Sequence, residues 1–134
     1  MSILVGYVPT PEGAVALDQA IEQAQLRATS MVVVNVAIGS NFADVTFADE
    51  KDLDAVRQRL TEAGIEYTVK QIVGATDVSG EILALAESEA VDLIVVGLRR
   101  SSPFGSVLLG SNAQRIILSA PCAVLSIRPK AGSN

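Results

Sequence analysis

Two stretches carry residue types from which a binding site could be built. The first reads Gly6-Tyr7-Val8-Pro9-Thr10-Pro11-Glu12; the second runs from Gly97 through Arg99, Arg100, Ser101 and Ser102 to Gly110-Ser111. Glycine lets backbone N–H groups approach a ligand closely, and a helix opening at Gly110-Ser111 would aim its unsatisfied N–H groups at an anion. The two arginines add paired, charge-assisted donors. The chemistry on offer is local capture of a phosphate or a similar anion. On the residues alone an alternative stands level with it: a solvated arginine pair between a strand terminator, Gly97, and a turn at Gly110.

What the chain lacks narrows the chemistry further. It has no histidine, which removes Ser-His and Cys-His nucleophiles, the commonest zinc ligand and the usual general base near neutral pH. The single Cys122, flanked by Pro121 and Ala123, reads as a buried, inert thiol. Glu12 and Asp77 each precede an amphipathic run and read as helix-start charges, and Asp92 as a solvated turn residue. Tyr7 and Phe104 read as packing residues that are also able to stack on a base. No cluster has metal-ligand spacing. With 10 Lys and Arg against 15 Asp and Glu, the net charge of −5 argues against a general nucleic-acid coat.

The elements that position these loops follow from hydrophobic patterning. The 134 residues are 49% hydrophobic and 4% aromatic, enough for one domain with an aliphatic core. Residues 3–8, 31–37, 67–73, 92–97 and 122–127 form short, mostly β-branched runs, whose continuous apolar character implies strands covered on both faces. Between them lie helical spacings: Ala14, Leu17, Ile21 and Ala24; Leu53, Val56, Leu60 and Ala63; Ile82, Leu85 and Ala86; Ala113, Ile116, Ile117 and Ala120. Thr10 with Pro11 should open the first helix, Gly64 stop the second, Asp77 or Ser79 start the third, and Pro121 close the fourth.

Alternation of strand and helix with right-handed crossovers predicts an open, doubly wound α/β fold: a five-stranded parallel sheet in the order 3-2-1-4-5 with helices on both faces. Ligands bind such sheets beyond the strand carboxyl ends where the order reverses, which selects the loops after strands one and four. The stretch 38–47, with Asn41, Phe42 and Phe47, is expected to arch between strand two and helix two. No run approaches the ~20 apolar residues needed to cross a membrane. Met1 leads straight into a strand-like run without a basic segment, so a soluble, cytoplasmic protein is expected.

At this point the sequence resembles the universal stress protein family. The likeness rests on Ile3-Leu4-Val5-Gly6-Tyr7, the Ala16-Leu17 helix, Val32 to Val36, Val73-Gly74 followed by Glu81-Ile82-Leu83, Asp92 to Gly97, and Leu108-Leu109-Gly110-Ser111 through Ala120-Pro121-Cys122-Ala123-Val124. Members that bind ATP carry a glycine, two residues, a second glycine, nine residues, then glycine and serine or threonine. This chain keeps the spacing from Gly97 through position 100 to Gly110-Ser111, but has Arg100 at the second glycine. Val8 stands where many nucleotide-binding relatives carry an aspartate.

The resemblance implies a family domain over residues 1–129, of adenine nucleotide alpha hydrolase-like fold; the short, polar tail at 130–134 is expected to be disordered. It implies a site for ATP or a related adenine nucleotide formed by Val8, Pro9, Thr10, Val36, Gly97, Arg99, Arg100, Gly110, Ser111 and Asn112, with Val36 reading equally as core. Arg100, supported by Arg99, is expected to reach the phosphates in place of the missing glycine. The implied activity is a regulatory module acting through contacts with a protein partner, without catalysis and without nucleic-acid or membrane partners. Alternatives are a dimeric stress protein that binds no nucleotide and a slow ATP hydrolase. A homodimer is expected through the strand Cys122 to Ile127, an apolar edge free of lysine and internal proline.

Overall fold

The computed structural model of the protein describes residues 2–39, 44–100 and 107–128. Five parallel strands form the main sheet: β1 (Ser2–Gly6), β2 (Ser30–Ala37), β3 (Tyr67–Val73), β4 (Leu93–Gly97) and, last in the chain, β7 (Ala123–Ile127). Their order is β3-β2-β1-β4-β7, the doubly wound arrangement expected from the alternating pattern. The helices are α1 (Pro11–Arg27), α2 (Glu50–Glu62), α3 (Val78–Ser88) and α4 (Ser111–Ser119). Two further strands, β5 (Arg99–Arg100) and β6 (Val107–Leu108), pair antiparallel where an unbroken loop was expected.

Period-two alternation along the strands sorts the aliphatic residues into two cores. Ile3, Val5, Val33 and Val95 meet Leu17, Ile21, Val56 and Leu60 on the α1/α2 face. Leu4, Val32, Val34, Ile94 and Val96 meet Ile82, Ala86 and Ile116 on the α3/α4 face. The helix boundaries follow side-chain chemistry. The Thr10 hydroxyl accepts the Gly13 N–H, with Pro11 opening α1. Asp49 and Asp52 exchange hydrogen bonds in a capping box at α2, and Asp77 caps α3 through the Gly80 N–H. Gly64, at φ +73°, follows α2.

Some expectations need correction. The first strand ends at Gly6 rather than residue 8, because the Val8 carbonyl accepts the Thr10 N–H at 2.8 Å and turns the chain. The last strand begins at Ala123, so Cys122 precedes it. Cys122 is half-buried, not enclosed; burial, and next the charge of Asp92, push its thiol pKa up, which disfavours the reactive thiolate. Asp92 is also half-buried: its N–H donates to the Ser2 carbonyl at 3.0 Å and its Oδ1 is enclosed with no hydrogen-bond partner. On α4 only Ile116 is buried, while Ile117 is 41% and Leu118 83% exposed. The helix lies beside an edge strand, so no further layer covers its outer face. Asn41, Phe42 and the tail 130–134 lie outside the described residues.

Candidate functional site

At the carboxyl ends of β1, β2 and β4 lies a crevice of about 150 Å³. Strand β1 and the residues after it supply Gly6, Tyr7 and Val8; β2 supplies Val34 and Val36; β4 supplies Val96 and Gly97. The opposite wall is made by Val78 and Ile82 of α3 and by Asn112, Ala113 and Ile116 of α4. This is the point at which the strand order reverses, β1 having β2 on one side and β4 on the other.

The β1–α1 connection is built to close tolerances. The Tyr7 N–H donates to the Val34 carbonyl at 2.8 Å, and the chain then turns through Pro9 and Thr10 into α1. A Cβ at Gly13 would lie 1.8 Å from the Val8 carbonyl oxygen, and one at Gly97 would lie 2.2 Å from the Glu12 carbonyl oxygen. Gly97 is therefore required by the approach of α1 to β4, a packing reason independent of any phosphate.

Asn35, fully buried in β2, fixes the crevice floor from behind. Its amide nitrogen donates to the carbonyls of Tyr7 at 2.9 Å and Thr46 at 2.8 Å. Its oxygen accepts from the Ala48 N–H at 3.1 Å and the Gln71 amide at 3.0 Å. Both donors and both lone pairs are thus satisfied. The segment it anchors is fixed further by Asp44, whose carboxylate accepts from the Thr46 N–H, the Gly39 N–H and the Thr46 hydroxyl; these bonds, the Thr46 N–H first, hold its pKa below the usual carboxylate range.

The helical wall is held by polar contacts. Gly110 is the N-cap residue of α4 and the helix has no side-chain cap, so its first turn presents its N–H groups beside the crevice. The Asn112 Oδ1 accepts the Ser79 N–H at 3.2 Å. Arg115 Nη1 donates to Asp77 Oδ1 at 2.6 Å and to the Ser79 hydroxyl at 3.2 Å. The Arg115 guanidinium, and after it the Gly80 N–H, hold the Asp77 carboxyl below its ordinary range. Tyr7 packs with the α1/α2 core; burial pushes its phenol up, the Asp52 charge adds to this, and Arg59 opposes it.

Of the residues expected from sequence, Val8, Val36, Gly97 and Asn112 line the crevice. Pro9 and Thr10 form the adjoining turn, Gly110 caps α4, and Ser111 is its exposed first residue. The backbone of Arg99 and Arg100 follows Gly97 by two and three residues, in β5. Their side chains, and Ser101, Ser102 and Phe104, lie outside the described residues. Asn35 and Arg115 were not anticipated. Asn35 stood out only as the one polar residue within Met31–Ala37; Arg115 carried no local signal, because its partner lies 38 positions away.

A family model for the universal stress protein family matches residues 1–128. The chain belongs to that family. A universal stress protein of Mycolicibacterium smegmatis is 36% identical over 127 residues, covering 95% of this chain and 97% of the relative. Among solved structures, the universal stress protein of Archaeoglobus fulgidus in complex with dAMP superposes with TM-score 0.71 at 23% identity, covering 95% of this chain and 96% of the other. A universal stress protein in complex with cAMP gives TM-score 0.73 at 19% identity, with 97% and 98% covered. At these identities the structural likeness carries the fold. The family fold as this chain builds it offers an apolar slot for a flat group and an uncapped helix terminus for an anion. No carboxylate or cationic side chain is among the described residues lining the slot.

Proposed function

We propose that this universal stress protein binds an adenine nucleotide in the switch-point crevice and acts as a nucleotide-responsive regulatory module, through contacts with a protein partner. The base would enter against Val8, Val34 and Val36, and the phosphate would face the first turn of α4 with Arg100 and Arg99 as its cationic partners. The observation that carries the reading is the coincidence of an apolar slot with an uncapped helix N-terminus at the reversal of strand order. The complexes of the two structural relatives with dAMP and cAMP support it. Which nucleotide is preferred, ATP included, is for titration to decide. The role we propose is binding and signalling rather than turnover, and release of inorganic phosphate on incubation with ATP would count against it.

The same reading makes the protein a cytoplasmic homodimer paired through residues 122–127; no described helix is long and apolar enough to cross a membrane. Strand β7 is an edge of the sheet, and Ile117 and Leu118 of α4 are exposed beside it. Lysine at Val124 should shift sedimentation from dimer to monomer; a wild type already monomeric at micromolar concentration, or a dimeric variant, would remove this part of the proposal.

A second reading, a dimeric stress protein that binds no nucleotide, is favoured by crevice size. About 150 Å³ falls below the ~300 Å³ at which small-molecule sites begin. Calorimetric titration with AMP, dAMP, cAMP and ATP separates the two. Saturable one-to-one binding of at least one of them supports the first, and its loss in Arg100→Ala, by at least about tenfold, supports the phosphate contact. No heat with any of the four favours the second.

A further inference from the structure

Helix α4 is the least anchored element of the site. Of its nine residues only Ile116 is buried, and Gly110 leaves it without a side-chain cap. Among the described residues, its first turns are tied to α3 by a set of polar bonds. Asn112 Oδ1 takes the Ser79 N–H, and Arg115 Nη1 bridges Asp77 Oδ1 and the Ser79 hydroxyl. Asp77 is the centre of this clasp, because its Oδ1 also accepts the Gly80 N–H at 3.1 Å and so caps α3. Val78 lies between two clasp residues and lines the crevice, as do Asn112 and Ala113 at the start of α4. The bonds therefore join the two helix starts that form one wall.

We infer that the Asp77–Arg115–Ser79–Asn112 clasp is a positioning device: it holds the start of α4 in place and so sets the width of the crevice and the aim of the N–H groups of its first turn. Asp77, Ser79 and Arg115 are positioning residues, one step removed from any ligand. The inference rests on the proposed nucleotide site for its effect on affinity, but the placement of α4 is testable without a ligand. The Asp77–Arg115 side chains are half-exposed, at 52% and 51%, so each variant should alter affinity only severalfold.

The test is a double-mutant cycle of Asp77→Asn, which keeps a residue able to cap α3, and Arg115→Gln, read by AMP titration and by amide hydrogen exchange at Gln114 and Ile116. Each single variant should bind AMP about three- to fivefold more weakly, the double variant no more weakly than either, and Arg115→Lys should stay within about twofold of wild type. Exchange at Gln114 and Ile116 should accelerate in both single variants while that of β4 stays unchanged. Arg59→Gln breaks a comparable exposed pair to Asp18, 2.7 Å long and formed between α1 and α2, and should leave AMP affinity unchanged. Additive losses, variants that bind AMP as the wild type does, or an equal loss in Arg59→Gln would overturn the inference. If the wild type binds none of AMP, dAMP, cAMP and ATP, the nucleotide reading fails by itself, and exchange decides the clasp: unchanged exchange at Gln114 and Ile116 would overturn it. If it binds one of the others, that nucleotide replaces AMP in the cycle.

Discussion

Two helices that start at the carboxyl end of the sheet, α1 behind the β1 turn and α4 in the crevice wall, are held in opposite ways. Helix α1 is capped by Thr10, buries Ala16, Leu17, Ala20, Ile21 and Ala24, and lies so near β4 and the Val8 turn that only glycine fits at 13 and 97. Helix α4 buries Ile116, has no side-chain cap and is secured by hydrogen bonds and one half-exposed ion pair. Close packing tolerates almost no displacement, whereas exposed polar bonds yield at small cost. Substitutions on the α1 side should thus act on folding, and those at the start of α4 on what the crevice binds.

The sharpest contrast is between glycines. Gly13→Ala should destabilise by about 3 kcal/mol or more in urea denaturation, since its methyl group would overlap the Val8 carbonyl. Gly110→Ala meets nothing within 4 Å at an ordinary φ of −69° and should change stability by no more than about 1 kcal/mol. Equal effects would erase the distinction between the two helices.

Leucines repeat the contrast. Leu60, fully buried on α2, should cost about 2–5 kcal/mol as alanine, and Leu118, 83% exposed on α4, within about 0.5 kcal/mol. Asn35→Leu belongs with the buried group: it would strand the Tyr7 and Thr46 carbonyls and the Ala48 N–H, for a loss of about 2–4 kcal/mol in the same assay. A neutral Asn35→Leu would show that water reaches these groups.

The smallest effects are electrostatic. Tyr7 has a folded-state pKa raised above 10.0 by burial, so the folded form holds its proton longer than the unfolded chain. Its contribution is complete below pH 10 and declines as pH rises through the folded value, and Tyr7→Phe should flatten stability against pH there. Asp77 and Asp44 have the opposite sign: with folded pKa values below 3.8, their contributions are present above that pH and decline as pH falls through the folded values. Asp77→Asn should therefore reduce the acid sensitivity seen below pH 4 in thermal melts.

Strand order, both helix faces and three of the caps could be read from sequence because each depends on local spacing: period-two runs, 3.6-residue stripes, and Thr, Asp or Gly at helix ends. Apolar spacing at Ile117 wrongly suggested a covered face, because periodicity cannot show that a helix lies at the rim of a sheet. At the site, Val8, Val36, Gly97 and Asn112 were within reach of the switch-point rule and the family spacing. Arg115 and Asn35 were not, since each acts through partners brought near only by the fold. Gly97 shows the converse: its place in a ligand motif was legible, while its packing against Glu12 was not.

Whether the crevice between β1, β4 and α4 takes an adenine nucleotide is addressed at residue level by amide NMR shifts recorded while AMP, dAMP, cAMP or ATP is added. Saturable shifts are expected at Gly6, Val8, Gly97, Asn112 and Ala113, with the amides of α2 and of β3 unmoved. Saturable shifts confined to other surfaces, or none with any of the four at millimolar concentration, would contradict nucleotide binding in the crevice.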